Sequence, residues 1–195
     1  MPLGFSVMFL SESEFRRISE SRLQIVCSGA HGDAAPMTAG QALQMGNQLL
    51  EELGIATPER LVLLLLPHSV ELFCLHLALA FRGQVPAILP WPTSRIDAAK
   101  YQRNLIHQLR GLPAARLITL PTLAENLGRF LGFPVSGVCG SALERFETGF
   151  AEKFDGPADL PETQAAQRTG RLPDEALFLQ FSGGTTGMQK CVVVT

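Results

Sequence analysis

Apolar positions along this chain change their spacing from one short segment to the next. Leu61-Val-Leu-Leu-Leu-Leu66 is a continuous apolar run closed by Pro67. It is too short for a helix of its own and shows no polar alternation, so it predicts a strand buried on both faces of a parallel sheet. Ser69 stands where it can cap a helix running to about Arg82, apolar nearly all round and ended by Gly83. Val85 to Leu89 is a second buried strand. Strand, helix and strand at this spacing make one βαβ unit.

Similar punctuation extends in both directions. Upstream, residues 12–22 predict a short polar helix, Leu23 to Cys27 a small strand, and His31-Gly32-Asp33 a turn. Thr38-Ala-Gly-Gln41 has capping-box spacing. It opens a helix with Ala42, Leu43, Met45, Leu49, Leu50 and Leu53 on one face, stopped by Gly54. Downstream, Pro90-Trp91-Pro92 breaks the chain beyond the second strand, where α/β proteins often bind ligands. A helix from about Asp97 to Arg110 presents Tyr101, Leu105, Ile106 and Leu109 on one side. Ala115 to Leu120 is a third strand, Thr122-Leu-Ala-Glu125 opens a helix ending near Gly132, and Val135 to Cys139 is a short strand. Ser141-Ala-Leu-Glu144 caps a helix to about Phe154. Residues 155–173 lack periodicity and contain three prolines and two glycines, the composition of a surface linker. The alternation predicts an α/β fold, a mainly parallel sheet flanked by helices.

The closing stretch departs from this rhythm. An apolar run, Ala176 to Phe181, ends in Ser182-Gly183-Gly184-Thr185-Thr186-Gly187, followed by Met188, Gln189, Lys190 and a β-branched run from Val192 to Thr195. This reads as strand, loop, strand. Three glycines let the backbone turn with positive φ and approach a ligand closely. Successive N–H groups and three hydroxyls can then cradle an anion, with Lys190 as a point charge for phosphate. A plain hairpin turn takes two to five residues, and this loop has about nine. The nucleotide loop of phosphate-loop NTPases needs Gly-Lys-Ser/Thr in direct succession opening a helix. Here Met188 and Gln189 separate Gly187 from Lys190, and a strand-like run follows.

Composition narrows the remaining classes. Of 195 residues 46% are hydrophobic and 17% charged, with a net charge of −2, so nothing favours nucleic acid or an anionic membrane as partner. No apolar run is long enough to span a membrane, and the apolar N-terminus has no Lys or Arg before Arg16, which argues against a signal peptide. The four cysteines are scattered without metal-ligand spacing, as structural thiols of a reducing compartment would be. A cytoplasmic protein without a metal cluster is the expectation. His68 and His76 read as ordinary histidines, Trp91 as a packing wedge and Cys191 as buried strand packing.

The terminal loop resembles the signature of adenylate-forming (AMP-binding) enzymes, the superfamily of acyl-CoA synthetases, fatty acyl-AMP ligases, peptide-synthetase adenylation domains and luciferases. Phe181, Ser182, Gly183, Gly184, Thr185, Thr186, Gly187 and Lys190 fit its form Tyr-Thr-Ser/Gly-Gly-Ser/Thr-Thr-Gly-x-Pro-Lys-Gly, while Gln189 and Cys191 depart from it. Gly183 resembles the long-chain acyl-CoA synthetase variant. Less specific likenesses occur in order along the chain. Thr38 to Leu53 is similar to the family's early helix, Pro67 to Glu71 to its Pro-x-Ser-x-Glu segment, Arg82 to Ala87 to Ala-Gly-Ala-Val-Pro-Val, and Asp174 to Phe181 to the lead-in of the loop.

The resemblance implies an ATP-dependent, carboxylate-activating ligase. Ser182, Gly183, Gly184, Thr185, Thr186, Gly187 and Lys190 would hold the β- and γ-phosphates of ATP, with Mg²⁺ sharing the charge. CoA or a carrier-protein phosphopantetheine would accept the acyl group, so the partners are a small carboxylic acid and, for the second acceptor, an acyl carrier protein. The family's adenine and ribose segments, hinge and catalytic lysine lie beyond this loop, so residues 1–195 read as the first part of a large N-terminal AMP-binding domain. No catalytic residue is expected in such a fragment, which would not turn over alone. The alternative is a free-standing, non-catalytic remnant that binds a nucleotide or a protein.

Overall fold

The computed structural model describes residues 13, 17, 20, 24–25, 28–29, 32–33, 36–55, 59–92, 97–110, 112, 115–140, 143–147, 174, 176–181 and 191–194. The helix expected over 12–22 falls almost wholly outside these residues, and the linker 155–173 entirely so.

Four two-residue strands come first: β1 (Gln24–Ile25), β2 (Ser28–Gly29), β3 (Gly32–Asp33) and β4 (Met37–Thr38). β1 pairs antiparallel with β4, and β2 with β3. This corrects the turn expected through His31-Gly32-Asp33. Gly29 pairs with Gly32, so Gly32 and Asp33 belong to the second arm of a hairpin.

Helix α1 (Ala39–Glu52) starts where the capping box predicts. The Gln41 N–H donates to Thr38 Oγ1 at 3.2 Å, and the Thr38 N–H donates to Gln41 Oε1 at 2.8 Å, so each end satisfies a donor the helix leaves open. Gly54 takes φ 62° just beyond it. Its buried face also contains Gly46, which apolar periodicity does not flag. A Cβ at Gly46 would lie 2.7 Å from the Cys74 carbonyl carbon, so glycine here allows α1 to approach the next helix closely.

β5 (Leu61–Leu65) is buried at every position. Ser69 caps α2 (Val70–Phe81), its Oγ accepting from the Leu72 N–H at 3.2 Å. α2 lies between α1 and strands β5 and β6 (Val85–Ile88), which explains why its sequence is apolar nearly all round. α3 (Ala98–Leu109) begins at its cap Asp97 and buries Leu105, Ile106 and Leu109. β7 (Ala115–Thr119) follows. α4 (Pro121–Gly128) begins one residue earlier than expected, with Pro121 in its first turn and Leu120 as an N-cap lacking a side-chain bond. Thr122 is therefore inside the helix, not its cap. Proline's fixed φ and missing N–H suit that first position. The helix ends at Gly128 rather than Gly132. β8 (Val135–Gly137), α5 (Glu144–Glu147), β9 (Phe178–Phe181) and β10 (Cys191–Val194) complete the described chain.

The main sheet has the order β10-β9-β6-β5-β7-β8. All neighbours are parallel except β9 and β10. The α/β architecture with a mainly parallel sheet is therefore present. Its core is leucine-rich, with Leu61, Leu63, Leu64, Leu75, Leu79 and Ile106 fully buried. Thr119 is buried among them and donates its hydroxyl to the Leu65 carbonyl at 2.8 Å. Charged groups gather at the other end of the strands. Arg116 Nη2 is 3.2 Å from Glu59 Oε1, and Arg60 pairs with Asp174 at 3.4 Å.

Candidate functional site

Parallel strands leave the sheet at a common edge, where the following loops converge. β9 runs beside β6 in parallel, Ala87 against Leu179 and Ile88 against Gln180. β10 returns antiparallel, from Cys191 against Phe181 to Val194 against Phe178. The strand-loop-strand reading of the closing stretch is thus correct for its two strands, β9 and β10. The candidate phosphate-binding residues Ser182, Gly183, Gly184, Thr185, Thr186, Gly187 and Lys190 lie outside the described residues, as does the Cys191 side chain.

At this same edge lies a cavity of about 500 Å³. Its wall is assembled from Leu66 and His68 beyond β5, Leu72 and His76 on α2, Ile88 to Trp91 at the exit of β6, and Phe178 to Phe181 on β9. None of these side chains is acidic, and none is Lys or Arg. Two contacts fix the β6 side of the wall. Tyr101 donates its hydroxyl to the Pro90 carbonyl at 2.7 Å, tying the exit of β6 to α3. Trp91 meets Phe146 edge to face at 6.3 Å, so it is the expected packing wedge and a cavity wall at once. Burial raises the Tyr101 phenol above its ordinary range, which keeps it a neutral donor.

His76 stacks edge to face against Phe178, with ring centroids 6.3 Å apart. Desolvation lowers its pKa from the ordinary 6.5, so the imidazole is neutral at pH 7. The sequence marks His76 only as an ordinary histidine on an apolar helix. Knowing that β9 lies beside β6 is what brings it into the site. The βαβ spacing could place Leu66, His68 and Trp91 at the strand ends, but nothing local pairs Phe178 or Gln180 with them. Among the described residues no group of three or more His, Cys, Asp or Glu side chains could hold a metal ion, and no helix is long and apolar enough to cross a membrane. Cys74 is buried and Cys139 exposed, and neither is in a disulfide.

No curated protein matches this chain. Solved structures do. A fatty acyl-adenylate ligase from L. pneumophila, in complex with acyl adenylate and pyrophosphate, is 18% identical with a TM-score of 0.53; the match covers 93% of this chain and 29% of that one. McyG A-PCP complexed with phenylalanyl-adenylate is 19% identical with a TM-score of 0.57, over 96% of this chain and 28% of that one. A chain from a study of fatty acyl-adenylate ligases of E. coli and L. pneumophila is 16% identical with a TM-score of 0.57, over 92% and 31%. At these identities the likeness is one of fold, and this chain spans about three-tenths of their length. The sequence model described as AMP-binding enzyme matches residues 38–195. That match runs from the N-cap of α1 through the last strand of the sheet, and the chain belongs to the AMP-binding enzyme family.

Proposed function

We propose that this chain is the N-terminal part of an ATP-dependent ligase that activates a carboxylic acid as its acyl adenylate. The reading is supported by the glycine-rich sequence of residues 182–190 together with the pairing of the strands on either side of it, Phe181 against Cys191, with β9 parallel to β6. A glycine-rich loop there, with Thr185, Thr186 and Lys190, is suited to the β- and γ-phosphates of ATP. In the first half-reaction a carboxylate oxygen bonds to the α-phosphorus of ATP, and the bond to the bridging oxygen breaks. Acyl adenylate forms and pyrophosphate leaves. Backbone N–H groups, hydroxyls and Lys190 would offset charge on the departing pyrophosphate, so this chain's contribution is positioning and electrostatics.

Mg²⁺ bound to the triphosphate would share that charge. The acyl group would then pass to a thiol, that of CoA or of a carrier-protein phosphopantetheine, as in an acid–thiol ligase. The 195-residue chain would not complete this cycle alone, because it corresponds to under a third of the matched structures. A cytoplasmic setting would supply both ATP and a reducing environment for the cysteines.

The test is carboxylate-dependent exchange of labelled pyrophosphate into ATP by the full-length parent, across aliphatic, aryl and amino acids. Exchange with one class supports the reading. No exchange with any acid would replace it with a non-catalytic nucleotide-binding role.

A further inference from the structure

Helix α2 is apolar nearly all round, yet its first turn carries an acidic side chain, Glu71, that is only 2% exposed. Glutamate is almost never buried to this degree unless it is paired. An apolar residue would fill the position without the cost of desolvating a polar group. The Glu71 carboxyl group lies against the backbone of Gly140, in the loop between β8 and α5. A Cβ at Gly140 would stand 2.5 Å from Glu71 Oε1, 2.9 Å from its Cγ and 3.0 Å from its Cδ. Gly140 is not among the glycines with positive φ, so backbone conformation does not call for glycine there. Room for the Glu71 side chain does.

Gly140 sits in a segment that is tied on both sides. Before it, a Cβ at Gly137 would lie 2.6 Å from Pro121 Cα, and the Val138 N–H donates to the Thr119 carbonyl at 2.8 Å. After it, the Gly140 carbonyl accepts from the N–H groups of Leu143 at 2.8 Å and Glu144 at 3.1 Å, which opens α5. Leu143 is buried, and Phe146 on α5 meets Trp91 edge to face. Trp91 lines the cavity, as does Leu72, the residue after Glu71. One buried side chain thus touches the loop whose far end supports the β6 side of the cavity wall. Buried polar contacts specify one arrangement more sharply than apolar packing does.

We propose that Glu71 is a positioning residue for the site at the carboxyl edge of the sheet. By fixing where Gly140 lies, it places α5 and, through Phe146, orients Trp91. The role in a reaction rests on the ligase reading, where a displacement of about 1 Å can slow chemistry ~10²-fold. The contacts themselves do not rest on it.

Trp91 is the sole tryptophan, so its emission in the 195-residue chain reports on the end of this series of contacts. Gly140→Ala sets a methyl group against the Glu71 carboxyl and should displace α5. The expected result, well below the melting temperature, is a shifted emission maximum and acrylamide quenching that is clearly stronger than in the native chain. Glu71→Asp added to Gly140→Ala shortens the acid by one methylene, makes room for the methyl group and should restore the native spectrum. If Gly140→Ala melts too early to be read, Glu71→Leu is read instead. It keeps the side-chain volume, removes the carboxyl and should strengthen quenching in the same way. A carboxyl with a purely structural role would lower the melting temperature of these variants and leave the emission of the folded chain unchanged. That result overturns the proposal, as does failure of Glu71→Asp to restore the spectrum of Gly140→Ala. In the full-length parent, Glu71→Leu should slow carboxylate-dependent pyrophosphate exchange about tenfold or more at saturating ATP and acid, a loss in kcat. Unchanged exchange by a folded Glu71→Leu parent overturns the positioning role and leaves the ligase. No exchange by the native parent with any acid removes the ligase, and Trp91 emission still decides whether Glu71 sets the wall.

Discussion

The two ends of the main sheet are built from opposite chemistry. Where the strands enter, Glu59, Arg60, Arg116 and Asp174 form ion pairs, and Gln84 Nε2 donates to the Glu59 carbonyl at 3.1 Å. Where they leave, a cavity opens whose wall, among the described residues, includes no acidic or Lys/Arg side chain. Polar side chains at the entry end hold segments together that are far apart in sequence. Arg116 reaches both Glu59 and Ser136, and Arg60 reaches both the carboxylate and the carbonyl of Asp174. The exit end is shaped by apolar packing and by the hydrogen bond from Tyr101 to the Pro90 carbonyl. Stability contacts and a ligand-sized space are thus separated along the strand direction, and substitutions at the two ends should have different consequences.

The largest effect is expected at Arg116. Its ion pair with Glu59 is mostly buried, with side-chain exposures of 16% and 20%. Arg116→Met leaves the Glu59 carboxylate without its partner and should cost about 2 kcal/mol, between the limits for exposed and fully buried pairs. Denaturant unfolding measures it, and a loss below the scatter of the measurement would mean the entry end does not stabilise the sheet. Thr119→Val comes next. It removes the donor to the Leu65 carbonyl and should cost about 1 kcal/mol in the same experiment. Arg60→Ala should cost about 0.5 kcal/mol or less, since the Asp174 side chain is 71% exposed.

A pH experiment addresses the exit end. Burial depresses the His76 pKa in the folded chain, so the unfolded chain takes up that proton first as pH falls. Stability from the neutral ring is fully present above its ordinary pKa of 6.5 and is lost progressively below it, towards the lowered folded value. His76→Phe should flatten the stability profile between about pH 7 and pH 5 relative to the native chain. An unchanged slope would mean the imidazole is not desolvated against Phe178.

The strands of the sheet were legible in the sequence because a strand buried on both faces must be apolar throughout, and Leu61 to Leu65 satisfies that without alternation. Thr38 with Gln41 and Ser69 were legible because capping is local chemistry. The close approach at Gly46 was not, since a glycine carries no periodic signal and its reason lies on another helix, at Cys74. The start of α4 was misjudged because Thr122 and Glu125 imitate a capping box one residue into a helix that Pro121 already begins. Ion pairs at the entry end join residues 57 and 114 positions apart, a separation no local pattern encodes. The site divides in the same way. The expectation for residues 182–190 came from glycines, hydroxyls and a lysine occurring together in sequence, and it falls outside the described residues. The cavity was not legible, because its wall draws on four segments that only the β9–β6 pairing brings together.

On the proposed function, the loop after β9 serves phosphate chemistry while the sheet's stability resides elsewhere. The direct measurement compares the full-length parent with its Lys190→Ala variant, in carboxylate-dependent ATP–pyrophosphate exchange and in thermal unfolding. Loss of one transition-state charge contact should slow exchange by about 10²–10³-fold, and the melting temperature should stay the same within error. Equal exchange rates in the two proteins, or a rate loss matched by a drop in melting temperature, would contradict the claim.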